Sequence, residues 1–146
     1  MYIYSIDKNP YEIDEIEEKL KDESIEFGGK YSPKTCKSEQ KIAIIIPYRD
    51  RLSNLKLFLS NMHPFLINQN LTYGIYLIEP LANLTFNRGL LMNIGFIESL
   101  KDSNHLWDCF FFHDVDMLPE DLRNYYKCDY DLPVHYAAAV AKYNYE

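Results

Sequence analysis

Ile42-Ala43-Ile44-Ile45-Ile46-Pro47 is the stretch on which the fold turns. An unbroken run of β-branched and small apolar residues has no polar face to offer water. It therefore reads as a strand covered on both sides, the pattern of a parallel sheet, with Pro47 closing it. A strand buried on both faces must be central, and the neighbouring segments must provide what covers it. Downstream, Leu52, Leu55, Leu59 and Met62 recur at helical spacing, with Asp50 or Ser53 as N-cap and an expected end near Pro64. Tyr73 to Ile78 reads as a second strand closed by Glu79-Pro80. Asn87 is placed to cap a helix bearing Leu90, Ile94 and Ile97 on one face, and Trp107 to Phe112 reads as a third strand. Upstream, Ile13, Ile16 and Leu20 recur among Glu, Asp and Lys, predicting a short amphipathic helix with a solvated acidic face. Gly28-Gly29 ends that helix, and residues 31–39 form a loop carrying Pro33 and Cys36.

Strand and helix thus alternate with short connections. The expectation is an α/β fold: a mostly parallel sheet with helices on both faces, 1–27 as N-terminal helix and lead-in, 28–146 as the domain proper. In such sheets ligands bind at the carboxyl ends of the strands. The segments after Ile46, Ile78 and Phe112 are the ones to inspect.

Composition narrows the partners. The chain has 146 residues, 47% hydrophobic and 25% charged, as expected of one folded domain. Its net charge of -7, with 15 basic residues scattered along the sequence, argues against nucleic acid or anionic lipid. A nucleotide diphosphate remains compatible if a metal ion and a few placed arginines offset the carboxylates. Met1 to Tyr11 lacks the apolar run of a signal peptide, and no stretch reaches the roughly 18 apolar residues of a membrane span. The cysteines Cys36, Cys109 and Cys128 fit neither a CxxC redox pair nor a zinc site, and their odd number suggests a missing partner. Asn70-Leu71-Thr72 and Asn83-Leu84-Thr85 are sequons that would accept N-glycan in a secretory lumen.

Two of the three strand ends carry unusual polar residues. His113-Asp114-Val115-Asp116 puts two carboxylates two residues apart, which in extended chain point to one side. A hard divalent cation that also bonds phosphate takes one or two protein carboxylates, so this Asp-x-Asp is a candidate metal and ribose site. A solvated turn or a helix cap before Leu118-Pro119 is the plainer alternative. A phosphatase-like DxDx(T/V) nucleophile is disfavoured by Met117 and by its place after the third strand. After the first strand, Pro47-Tyr48-Arg49-Asp50-Arg51 offers two arginines for a diphosphate and Tyr48 for a base; a surface salt bridge to Asp50 is the alternative. After the second, Phe86-Asn87-Arg88 opens a helix whose N-terminus favours an anion.

Taken in order, Ile44-Ile45-Ile46-Pro47-Tyr48-Arg49-Asp50-Arg51, Tyr73-Gly74-Ile75-Tyr76, Phe86-Asn87-Arg88-Gly89-Leu90-Leu91-Met92-Asn93-Ile94-Gly95-Phe96 and Phe112-His113-Asp114-Val115-Asp116 resemble the motifs of the β-1,4-galactosyltransferase family. Gly28-Gly29-Lys30-Tyr31-Ser32-Pro33 resembles that family's lead-in, and the likeness runs from about Gly28 to Tyr143. The resemblance implies a nucleotide-diphospho-sugar transferase fold (GT-A-like), of which this chain is the donor-binding half. It also implies inverting, manganese-dependent transfer of galactose from UDP-galactose, or N-acetylgalactosamine from UDP-GalNAc, to a glycan acceptor ending in N-acetylglucosamine. Carried over by motif, Pro47, Tyr48, Arg49 and Arg51 match uridine and phosphate contacts, with Tyr48 in place of the usual Phe. Phe86, Arg88, Asp114 and Val115 match further donor contacts, Asp116 the metal ligand, and Lys142 a donor-contacting lysine.

By the same resemblance Cys109 and Cys128 form a disulfide, while Cys36 matches a cysteine whose partner lies upstream in a region this chain lacks or has replaced and is expected to be free, in keeping with the lumen of the Golgi. The family is anchored there as type II membrane proteins; no anchor is found in this chain. The family's catalytic base, its Trp-bearing loop and its remaining metal ligands, a histidine among them, have no counterpart here. His63, His105, His113 and His135 are read as ordinary surface or packed residues. The expectation is a chain that serves the donor, lacks an identified base and transfers no sugar by itself, with an inert donor-binding or interaction module as the rival reading.

Overall fold

A computed structural model describes residues 4–102, 106–137, 139–141 and 144. Helix α1 spans Ile13–Leu20 and runs into a 3-10 turn at Lys21–Glu23. Strand β1 is Lys30–Tyr31, β2 Lys41–Pro47, helix α2 Leu52–Ile67, β3 Thr72–Ile78, α3 Arg88–Leu100 and β4 Cys109–Phe112. The strands form one four-stranded sheet in the order β1-β3-β2-β4, with β2 parallel to both β3 and β4 and β1 antiparallel at the edge. The run Ile42 to Ile46 is fully buried at the centre, as its composition requires.

Alternation along β2 sends its residues to two different covers. Ile42, Ile44 and Ile46 join Phe58, Met62, Phe65 and Leu66 of α2, together with Tyr73, Tyr126 and Val115, in the main core. The opposite face takes α3, and the approach there is close. A Cβ built on Gly95 would fall 2.8 Å from Ile78 Cγ1 and nearer still to Ile45 Cγ2. Only a residue without a Cβ lets the helix backbone lie on these two strands. We therefore expect Gly95→Val to cost about 1–3 kcal/mol or more by overpacking, read from the urea unfolding midpoint.

Several sequence expectations need correction: the first helix ends at Leu20 and its 3-10 turn at Glu23, before Gly28-Gly29, and Tyr31 lies in β1 and not in a loop. Helix α2 does not end near Pro64 but continues to Ile67, and its N-cap, Arg51, makes no side-chain cap bond, so neither Asp50 nor Ser53 caps it. Proline removes one intrahelical hydrogen bond; Phe65 and Leu66, fully buried just beyond it, hold the last turn by packing. The expected buried stripe of α3 is exposed, with Leu90 at 54%, Ile94 at 38% and Ile97 at 50%, while Leu91, Met92, Gly95 and Ser99 face the sheet. Asp114 to Met117 form a turn closed by Met117 N–H donating to the Asp114 carbonyl at 3.2 Å, not extended chain. Similarly, Arg49 and Asp50 lie in a bend with Asp50 in the left-handed region at φ 49°, a conformation aspartate tolerates better than most residues. Neither motif is extended chain, so strand alternation does not aim their side chains and other contacts must.

Candidate functional site

Parallel pairing aligns the three strand ends. Pro47 of β2 stands opposite Ile78 of β3, and Ile45 pairs with Phe112 of β4. Two backbone bonds carry the alignment past the strands: Tyr48 N–H donates to the Ile78 carbonyl and His113 N–H to the Ile45 carbonyl, both at 2.9 Å. The segments that follow enclose a cleft of about 540 Å³ lined by Pro47, Arg49, Asp50, Arg51, Phe86, Arg88, Asp114, Val115 and Asp116. That volume lies within the usual range for a small-molecule site.

Each side chain is held by a different device. Arg49 Nη2 donates to the carbonyl of Leu84 at 2.6 Å and, less closely, of Leu81 at 3.4 Å, and its guanidinium lies 5.7 Å over the Phe86 ring. One arginine from the β2 end thus fixes the connection between β3 and α3. Asn87 caps α3 by accepting the Leu90 N–H at 3.0 Å, which orients the first helical residue, Arg88. Arg88 Nε in turn donates to Asp114 Oδ1 at 2.8 Å, joining the β3 and β4 ends across the front of β2. The side chains of Asp50, Arg51 and Asp116 make no hydrogen bond or ion pair among the described residues. They are the charges left available to a ligand.

Beneath the turn lies a residue that sequence reasoning passed over. His113 Nδ1–H donates to the Asp114 carbonyl at 2.8 Å, and Nε2, 2.8 Å from Tyr126 Oη, accepts that hydroxyl's proton. A carbonyl can only accept, so these contacts select one tautomer of the neutral ring. Burial, the largest influence, holds the imidazole below its ordinary pKa in agreement with that assignment. Tyr126 is buried at 3% exposure and stacks on Phe111. The signal in the sequence was a histidine directly between an apolar strand and two aspartates; its partner thirteen residues on was not legible.

We expect His113→Leu to cost about 1–3 kcal/mol, because it strands the Asp114 carbonyl and the Tyr126 hydroxyl. His113→Asn, which keeps a donor near the Nδ1 position, should recover part of that loss. Chemical-denaturation midpoints of the two variants make the comparison, and equal losses would reduce His113 to a space-filling role.

Of the residues singled out from the sequence, Pro47, Arg49, Arg51, Phe86, Arg88, Asp114, Val115 and Asp116 come together. Tyr48 does not: its side chain is 8% exposed and packs in the core, so the expectation that it stacks on a base is not met by this geometry. Lys142 lies outside the described residues, as does His105. His63 is packed, as expected, with Nδ1 2.6 Å from the Tyr73 hydroxyl. Cys109 and Cys128 are bonded, with Cα atoms 5.7 Å apart, and Cys36 is unpaired and exposed. Among the described residues no three His, Cys, Asp or Glu side chains cluster as a self-sufficient metal site.

Residues 3–129 match the profile of the N-terminal region of glycosyl transferase group 7. β-1,4-galactosyltransferase 3 of Rattus norvegicus is 48% identical over 121 residues, 83% of this chain and 30% of that protein. β-1,4-galactosyltransferase 6 of Homo sapiens is 47% identical over 125 residues, 86% of this chain and 32% of its own length. The chain therefore spans about a third of the length of these relatives. Among solved structures, the catalytic domain of Drosophila β-1,4-galactosyltransferase 7 in complex with xylobiose superposes with a TM-score of 0.57 at 31% identity, over 64% of this chain and 37% of that one. A mutant of that enzyme, solved with manganese, UDP-Gal and xylobiose, superposes equally well.

Proposed function

The chain belongs to the β-1,4-galactosyltransferase family within glycosyl transferase group 7, and from that premise we propose that it forms the UDP-sugar and metal site of an enzyme transferring galactose to a glycan acceptor. The observation that carries this reading is the convergence of eight residues from three strand ends on one cleft. UDP-galactose is the donor we infer, and a terminal N-acetylglucosamine the acceptor. The relative whose complex contains UDP-Gal and manganese supports the donor class.

Charge supplies the physical case for a metal. The cleft is lined by three arginines and three aspartates, so it is formally neutral and cannot by itself balance a diphosphate. Asp116, exposed and without a hydrogen bond or ion pair among the described residues, would hold manganese, with Asp114 beside it on the same turn. One or two carboxylates with phosphate oxygens and water is a normal shell for a hard cation, so the residues fit. When bound, the ion supplies Lewis-acid stabilisation to the leaving diphosphate.

The chain's own residues bind and orient. Arg51 presents an uncommitted guanidinium to the phosphates, Arg88 keeps Asp114 turned towards the cleft, and Arg49 holds the 81–86 wall while lying over Phe86. Phe86, 42% exposed, offers an apolar face to the donor. These groups stabilise charge on the departing UDP; among the described residues none is assigned as general base. We place the protein in the Golgi lumen, where its disulfide would persist. No helix among the described residues is long and apolar enough to cross a membrane.

The test is calorimetric titration of the chain with UDP, with and without manganese, followed by incubation with UDP-galactose and an N-acetylglucosamine acceptor. UDP release and disaccharide are measured separately, and an absence of manganese-dependent UDP binding would end the proposal. In the same titration Arg51→Ala and Arg88→Ala should each lose about 1.5–3 kcal/mol of UDP affinity, the usual worth of a hydrogen bond to a charged group. Parent affinity in both would show that the diphosphate lies elsewhere.

A further inference from the structure

Two sequons, Asn70-Leu71-Thr72 and Asn83-Leu84-Thr85, have no part in the donor reading, and the fold treats them differently. Asn70 sits in the left-handed turn after α2, at φ 54°. Its Thr72 is already the first residue of β3, 5% exposed and paired with Lys41, with its backbone N–H donating to Ser38 Oγ at 3.0 Å. The hydroxyl that completes this sequon is therefore closed off once the sheet forms.

Asn83 lies in the connection between β3 and α3, where residues 81–87 are all exposed. Neither its amide nor the Thr85 hydroxyl has a hydrogen-bond partner among the described residues. The backbone around it is nevertheless fixed, because Leu84 N–H donates to the Leu81 carbonyl at 3.0 Å and Arg49 grips both carbonyls. Exposed apolar side chains flank it, Leu81 at 73% and Leu84 at 53%.

We propose that Asn83 is an N-glycan attachment site, its oligosaccharide standing on the wall of the cleft that Arg49 holds. Attachment needs the amide nitrogen and the hydroxyl two residues on to be presented together on accessible chain, which this connection does and the Asn70 turn does not. The co-reactant is a lipid-diphosphate-linked oligosaccharide. Asn83 Nδ2 forms a bond to the anomeric carbon of its reducing-end sugar, the bond from that carbon to the diphosphate oxygen breaks, and the amide gives up one proton. The sugar then covers Leu81 and Leu84 with a hydrated surface. The attachment site rests on the lumenal location inferred above.

The chain is recovered from the secretory pathway of a eukaryotic host, so that its location is set by the experiment; UDP binding, measured separately, reports on the donor site. A glycoamidase should lower its apparent mass by one glycan and leave Asp at position 83 in the peptide spectrum. Asn83→Gln and Thr85→Ala should each remove the shift, and Thr85→Ser, which preserves the sequon, should retain it. Unmodified Asn83 in the recovered chain, or a shift abolished by Asn70→Gln alone, would overturn the assignment.

Discussion

Replacing Asp116 by alanine should abolish manganese-dependent UDP binding while leaving the chain folded. The side chain is exposed and has no hydrogen bond or ion pair among the described residues, so its removal costs no packing. Its neighbour Asp114 is already engaged by Arg88 at 2.8 Å. Removing a direct ligand should exceed the roughly 10–100-fold loss typical of an outer-shell group. Asp114→Asn should be milder, because the amide oxygen can still accept from Arg88 Nε. Titration with UDP and manganese, alongside a thermal melt, separates binding from folding. Parent affinity in Asp116→Ala with an unchanged melt would remove this residue from the metal site.

Opening the Cys109–Cys128 bond should be the largest stability change. It joins β4, which among the described residues pairs with β2 alone, to the end of the segment that carries the Asp114–Asp116 turn and Tyr126. With a sequence separation of 19, the chain-entropy relation gives about 3 kcal/mol. In a domain of this size that corresponds to a fall of roughly 10 °C in the thermal midpoint. The loss should also reach the cleft. Tyr126 stacks on Phe111 and donates to His113, which holds the Asp114 carbonyl, so a loosened loop should weaken UDP binding as well. The measurements are the melt and the UDP titration of a Cys109→Ser, Cys128→Ser double variant. An unchanged midpoint would mean that the main core alone secures β4.

Much of the layout is written in local pattern. The continuous apolar run of Ile42 to Ile46 reads as a central strand, and it is one. Asn87 marked the start of α3 by a bond between its own side chain and a backbone three residues on, a contact confined to one turn. The face of α3 was not so legible. The helix carries two candidate stripes, and the one that meets the sheet contains Gly95 and Ser99 while the more apolar Leu90, Ile94 and Ile97 remain exposed. Hydropathy ranks side chains, whereas the close approach to Ile45 and Ile78 selects for the absence of one.

Local sequence therefore determined the alternation of strands and helices, the strand ends at which a ligand would lie, and the motif order that marks the family. Tertiary structure alone decided which residues share the cleft. Pro47, Phe86 and Asp114 are brought together by the parallel register of β2 with β3 and β4, and Arg88 reaches Asp114 across it. It also turned Tyr48 inward and joined His113 to Tyr126. Propensity and periodicity act within a turn or a strand, but these contacts link residues tens of positions apart, and only the packed sheet sets the distances between them.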